Sequence, residues 1–210
     1  MKTIGIFLGM LFLLHPSLTA QEKLEGIDEI TAYKEGLAAV RKGNQWGFIN
    51  KKGELAIDFR DDLVWNKDMK PGEQEILETP YPSFENGMCP VQKMEDEIPL
   101  YGFINTNGEL IVDYKFLNVS AFKDGYATGV YFDKVFRGNN EFNLKIFEFK
   151  FHDVLIDSKG KIIEFFDRRY NIQMTKKRYK IPALRAKFLS NDMVAIFIEG
   201  KGWEIRKIVL

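Results

Sequence analysis

Short runs of apolar residues separated by turn residues fill most of this chain, and no window of comparable length keeps a helical period. The runs follow one order three times. Two apolar residues end a strand, Asn or Asp opens a turn, Gly closes it three residues later, and an apolar strand returns. The copies are Phe48-Ile49-Asn50-Lys51-Lys52-Gly53-Glu54-Leu55, Phe103-Ile104-Asn105-Thr106-Asn107-Gly108-Glu109-Leu110 and Leu155-Ile156-Asp157-Ser158-Lys159-Gly160-Lys161-Ile162. Asn or Asp in the first turn position bonds nearby backbone N–H groups, and Gly in the fourth accepts the positive φ of a bulge-type hairpin. An aromatic residue stands six places beyond each glycine, at Phe59, Tyr114 and Phe166.

A second pattern precedes each hairpin: aromatic, two residues, Gly, apolar, small. It reads Tyr33…Gly36-Leu37-Ala38, Phe84…Gly87-Met88-Cys89 and Phe122…Gly125-Tyr126-Ala127, and it predicts an entry turn and an inner strand. A weaker copy, Met193-Val194-Ala195-Ile196, leads into Gly202-Trp203. The fold class is therefore all-β: tandem antiparallel meanders near 27–59, 84–116 and 122–166, and a C-terminal half-repeat over 188–210. A curved open sheet, a barrel-like closure and a solenoid-like array all fit this period.

The spacers differ. Residues 60–83 contain Pro71-Gly72, Pro80 and Pro82 among many acids and predict an exposed loop. Residues 131–151 predict a long hairpin about a Gly138-Asn139-Asn140 turn. There Phe147, Phe149 and Phe151 alternate with Glu148 and Lys150, rings on one face and charges on the other.

The N-terminus departs from this pattern. Lys2 precedes an unbroken apolar run from Ile4 to Leu14, then Pro16 and Leu18-Thr19-Ala20. That order matches a secretory leader over 1–20, cut before Gln21, and the run is too short to span a bilayer. A secreted or periplasmic protein is expected, one domain over 21–210, with no cysteine placed to take a lipid anchor and no transmembrane segment in the mature chain.

Composition limits the chemistry. Cys89 is the only cysteine, so no internal disulfide forms. His152 is the only histidine beyond the leader, which excludes a histidine-rich metal site and makes any Ser-His-Asp arrangement depend on it. Cys89 occupies the slot of Ala38 and Ala127, as a small core residue would. Thirty basic residues balance thirty acidic ones, so charge argues against nucleic acid as a partner. Neither a cofactor nor a metal is expected, and no residue is assigned as catalytic.

The residues around the turns carry a resemblance. Gly36-Leu37-Ala38, Trp46-Gly47-Phe48-Ile49 and Gly53 in the first unit, and Gly87, Tyr101-Gly102-Phe103-Ile104 and Gly108 in the second, resemble the bacterial WG-repeat proteins. In the third unit Asp153-Val154 replaces the Trp-Gly pair, although Gly125 and Gly160 persist; in the fourth the order reads inverted, Gly202-Trp203. The resemblance implies an all-β repeat fold and carries no general enzyme activity with it. Trp46 and Tyr101 are expected to cover the gap left by a cross-strand glycine rather than to serve as ligand platforms.

Charge is also unevenly distributed. Residues 54–97 hold twelve acids against four bases, whereas Arg168 to Lys187 holds eight bases and no acid. Tyr170, Ile172 and Met174 alternate through the basic stretch, which predicts a strand or extended arm with one basic face. Its Arg168, Arg169, Lys176, Lys177 and Arg178, together with Trp65 and Tyr81, are the candidate binding residues. The expected function is a non-enzymatic binding or scaffolding module of the bacterial envelope, its partner another envelope protein or a glycan. Two alternatives stay open: a polysaccharide hydrolase using two carboxylates, with Asp58 and Asp113 as the pair in equivalent places, and a binder of anionic lipid or glycan through 168–187.

Overall fold

A computed structural model describes residues 24–66, 79–190 and 192–209. The expected leader and the middle of the 60–83 insertion lie outside the described residues. Thirteen strands and no helix occupy the rest, and every pairing is antiparallel. In chain order they are β1 (Glu29–Ile30), β2 (Leu37–Lys42), β3 (Gln45–Asn50), β4 (Leu55–Arg60), β5 (Met88–Glu95), β6 (Ile98–Asn105), β7 (Leu110–Val119), β8 (Tyr126–Asn139), β9 (Lys145–Asp157), β10 (Ile162–Arg169), β11 (Ala186–Ser190), β12 (Met193–Ile198) and β13 (Gly202–Lys207). They form three open sheets, β1-β2-β3-β4, β10-β9-β8-β7-β6-β5 and β11-β12-β13, so no barrel closes.

Each entry turn is a two-residue hairpin with both central residues at positive φ: Glu35-Gly36, Asn86-Gly87 and Asp124-Gly125. That is the geometry of a type I′ turn, whose twist suits antiparallel strands. The five-residue turns share one bonding scheme. Asn50 N–H donates to the Glu54 carbonyl and Gly53 N–H to the Asn50 carbonyl, while the Asn50 side-chain oxygen accepts from Lys52 and Glu54 N–H. Asn105 to Glu109 and Asp157 to Lys161 repeat it.

The long hairpin β8–β9 contains a fourth such turn where none was expected. Asn140 to Leu144 makes the same set of bonds, with Asn143 at φ 61° in the glycine's place. The bend thus lies two residues beyond the expected Gly138-Asn139-Asn140, and Phe142 and Leu144 belong to the turn rather than the strand. Asn tolerates the left-handed region because its short amide bonds locally.

Units join by a handover: the return strand of one pairs with the first strand of the next. β7 does this in one piece, bonding β6 through Leu110–Phe116 and β8 through Phe116–Val119. After β4, Leu63 and Val64 do it for β5, where Leu63 bridges Val91 and Val64 N–H donates to the Pro90 carbonyl. Both side chains are buried, so the exposed loop expected from 60 does not include them. β11 plays the same part ahead of β12.

Contacts between units recur in register. Phe84 packs edge-on against Phe48 of the preceding unit, and Phe122 against Phe103, both at 4.8 Å between ring centres. Glu35 accepts from Asn86 and Gly87 N–H at 2.7 Å, joining consecutive entry turns. Gly108 lies over Ile57, and Gly160 over Val112, the equivalent residue one unit later. Buried clusters accordingly bridge neighbours: Trp46, Phe48, Ile57 and Phe84 with Val91 and Ile104, then Tyr101, Phe103 and Phe122 with Val154 and Ile156, then Leu155 with Val194 and Ile196. No unit could bury these faces alone, which is the logic of a repeat array.

The stretch after β10 is not a strand or a free arm. Residues 170–185 form an irregular strap with a turn at Thr175–Arg178, and Ile172, Met174, Tyr179 and Leu184 pack against Leu117, Val130, Phe132 and Phe151. Asn118 Nδ2 donates to the Pro182 carbonyl and Tyr179 Oη to the Leu117 carbonyl. Of the alternating residues, Ile172 and Met174 anchor the strap while Tyr170 is exposed, and partners in β7 decide its path.

Candidate functional site

The Trp-Gly glycines mark where the return strand bulges. Pairing runs Trp46 with Arg60 and Phe48 with Ile57, leaving Asp58 and Phe59 unpaired opposite Gly47; in the second unit Tyr101 pairs with Phe116 and Phe103 with Val112, leaving Asp113, Tyr114 and Lys115 opposite Gly102. A Cβ on Gly47 would stand 2.9 Å from the Ile57 carbonyl oxygen, and one on Gly102 would run into the Val112 carbonyl oxygen. Return-strand backbone therefore fills the space at the glycine, not the aromatic ring expected to cover it. Trp46 instead turns into the core, 1% exposed and edge-on to Trp65 at 5.5 Å.

The third unit shows the converse. Val154, in the glycine's place, pairs directly with Phe165, and the irregularities move to either side of that pair. In the fourth, β12 pairs with β13 from Met193–Lys207 to Ile198–Gly202, as Leu37–Asn50 to Lys42–Gln45 pair in the first. This register puts Trp203 in the place of Trp46 and Glu204 in that of Gly47. The pair is not inverted; the β12–β13 loop is one residue longer than Gly43-Asn44.

Beside the first bulge lies an open polar groove of about 470 Å³, lined by Ala56 to Asp62 of unit one and by Asn107 and Gly108 of unit two. Arg60 shapes its wall. The guanidinium donates through Nε and Nη2 to both Asp62 carboxylate oxygens at 2.5 and 2.7 Å, and through Nη1 to the Gly108 carbonyl at 3.2 Å. Tyr114 Oη adds a third bond to Asp62 at 3.1 Å. The Asp62 bond holds the Arg60 proton tighter than usual, and burial with the nearby Asp62 charge raises the Tyr114 phenol. Asp58, Asp61 and Asn107 also line the groove.

The groups an enzyme would need do not converge there. Asp113, offered as the partner of Asp58, is outside the groove lining, exposed and 3.3 Å from Lys115. Cys89 is fully buried, with its thiol pushed well above its ordinary value by burial, so it is inert. His152 faces Phe165 edge-on at 5.3 Å, its Nδ1 is buried without a partner, and burial followed by the charges of Arg168 and Lys150 lowers its affinity for a proton. No group of metal-ligating side chains occurs among the described residues.

The candidate binding residues scatter. Trp65 is partly buried against Trp46, Tyr81 is 39% exposed, and neither lines the groove. Arg169 is committed: its Nη1 lies 3.4 Å from Asp153 and donates to the Ala183 carbonyl at 2.7 Å. Asp153 fills the tryptophan's place in unit three, 1% exposed, with Oδ2 lacking any partner; burial raises its carboxyl to about 6 and lowers the Arg169 pKa. Lys176 pairs with Glu97 at the β5–β6 turn, and Arg168 stands 3.6 Å from Glu148. Lys177, Arg178 and Lys180 project from the strap, exposed. Reading by repeat missed the groove, because Arg60, Asp61 and Asp62 have no counterparts in the other units; the acid run Asp61-Asp62 beside an arginine was the available signal.

These features define a class, an open array of antiparallel β-meander units joined by shared strands. A family model described as WG containing repeat matches residues 27–46, 46–60 and 101–128, so the chain is similar to WG-repeat proteins over its first unit, the second half of its second and the entry of its third. The matched stretches hold both crowded glycines. No curated protein and no solved structure matches the chain.

Proposed function

We propose that this protein is a non-enzymatic module of the bacterial envelope, exported by its leader, which binds a protein or glycan partner in the groove between its first two units. The observation that carries this reading is the groove's make-up. Asp58, Asp61 and Asn107 face an open space of about 470 Å³, while Asp62, the remaining acid, is held by Arg60 and Tyr114. Carboxylate and amide groups of this kind accept hydrogen bonds from sugar hydroxyls or peptide N–H groups. Acid catalysis would need a proton donor with a raised pKa beside a second carboxylate.

The test is retention of purified protein on insoluble cell-wall polysaccharide and on envelope protein, with released reducing ends measured in the same samples. Retention that falls in Asp58→Asn and Asp61→Asn, without release of reducing ends, is the expected result. Release of reducing ends that is lost on changing Asp58, Asp61, Asp113 or His152 would replace the module with a hydrolase. Retention indifferent to Asp58 and Asp61 would remove the groove from the account.

A further inference from the structure

Beyond Tyr131 and before Phe151, β8 and β9 leave the sheet, since β7 pairs with β8 only through residues 129–131 and β10 with β9 only through residues 151–156. Eight residues, Phe132 to Asn139, carry this two-stranded ribbon about 25 Å outward at ~3.3 Å per residue. Its register puts Phe132, Lys134, Phe136, Phe147, Phe149 and Phe151 on one face. At the base that face is covered: Phe132 and Phe151 are buried, and Met174 of the strap packs there. Toward the tip it is bare. Phe136 is 54% exposed and Phe147 39%, and the turn beyond them carries Leu144 and Phe142, 63% and 82% exposed.

The turn at the tip offers a partner few hydrogen bonds. The N–H groups of Asn140, Phe142, Asn143 and Leu144 are all used inside it, and Asn139 Nδ2 donates to Asn143 Oδ1 at 2.9 Å. A strand-donating protein would need free backbone groups along an uncharged edge, yet the ribbon carries Asp133, Arg137, Glu148 and Lys150, the charges by which natural edges resist pairing. Apolar side chains on a turn whose N–H groups are used internally suit the boundary of a bilayer, where few hydrogen bonds are supplied to the tip. Basic groups without an acidic partner stand at both ends of this finger, beside the acids Asp96, Glu97 and Glu148 that are paired to Lys134, Lys176 and Arg137. Lys145 adjoins the tip, and Lys177, Arg178 and Lys180 project from the strap that packs at the base, with no acid paired to them among the described residues. Glu141 is the one acid within the turn.

We propose that the β8–β9 hairpin is a membrane finger that lies along an anionic bilayer: Phe142 and Leu144 at the tip enter the interface, while Lys145 beside them and the strap's Lys177, Arg178 and Lys180 at the base meet the headgroups. Juxtamembrane basic residues add attraction that decays within a Debye length. The site is separate from the polar groove and does not depend on what that groove binds.

The test places a reporter at the tip. F142W in the otherwise native protein is mixed with vesicles of phosphatidylcholine containing roughly a third phosphatidylglycerol, their acyl chains brominated, and its emission is compared with that of the native protein. Added quenching in F142W is expected, with partition at least about tenfold weaker for F142S/L144S and weaker for K177Q/R178Q/K180Q, for phosphatidylcholine alone and at high salt. Because Phe142 and Leu144 are exposed turn residues, their replacement leaves the fold intact, which an unchanged Tm checks. No added quenching, or partition unaltered in F142S/L144S, overturns the proposal. So does a concentration-dependent dimer abolished by F142S/L144S without lipid, which would make a second copy the occupant. Equal partition to uncharged vesicles overturns the headgroup role of the basic residues.

Discussion

The first two units and the last two treat the glycine position differently. In units one and two the return strand bulges inward, and its backbone stands where a Cβ would be at Gly47 and Gly102. In unit three the return strand pairs evenly at that point, and Val154 fits. In unit four Glu204 occupies the position on a strand whose outer edge has no partner in β11-β12-β13. The Trp-Gly pair is thus a local steric requirement of a bulge that lies opposite the glycine, and Val154 takes its place where the bulges lie on either side instead. Asp58 and Asp113 recur for the same reason, as the unpaired residues of the bulge.

The comparison breaks first at Gly47. Gly47→Val is expected to cost about 3 kcal/mol or more, because backbone rather than a flexible side chain must give way. Val154→Gly, the reverse change in unit three, is expected to cost about 2–4 kcal/mol, the loss of a buried Val and the added backbone freedom. Urea unfolding of both variants checks this, and a Gly47→Val variant as stable as the native protein would show that the bulge does not crowd that position.

The turns give the next contrast. Gly108→Val combines positive φ with a Cβ 3.3 Å from Ile57 and is expected to cost about 2 kcal/mol. Asn143→Gly, in the turn that stands clear of the array, should change stability by only a few tenths of a kcal/mol, since Asn already adopts that conformation. A large loss for Asn143→Gly would mean that its side-chain bond to Asn139 holds the hairpin tip.

Replacing the buried tryptophan by Asp153 gives unit three a pH dependence that units one and two lack at that position. Its carboxyl is raised from the ordinary range near 4 to about 6, so between those values the folded state binds more protons than the unfolded chain. Native stability should therefore fall, relative to Asp153→Asn, as pH rises from about 4 to about 6, and the difference should stay constant above that. Thermal melts across that window test the sign; stability that rises instead would mean that Arg169 holds the carboxylate charged. The smallest effect is expected at Glu204→Gly, where Tm should move by no more than about 2 °C.

Much of the fold was legible because it is written in turn chemistry. Asn50 with Gly53, Asn105 with Gly108 and Asp157 with Gly160 specify both the bend and its bonds, and Cys89 was legible as core from its register with Ala38 and Ala127. The Asn140–Leu144 turn was hidden because Asn143 replaces the glycine, although the Asn at its first position was in plain view. Trp203 was misaligned because one extra loop residue shifts it against Gly202. The strap was read as a strand because Ile172 and Met174, two residues apart, anchor an irregular segment just as they would anchor a strand. The groove could not be read from repeats at all, since Arg60 and Asp62 meet Gly108 and Tyr114 only when two units stack.

The most direct test of the central claim is to melt Gly102→Ala beside Glu204→Ala, one methyl placed against a bulged return strand and one side chain trimmed where no such strand is paired. Gly102→Ala should lower Tm by at least about 5 °C and Glu204→Ala by less than about 2 °C. Comparable shifts in the two variants would contradict the account, because the glycine would then answer to something other than the strand that crosses it.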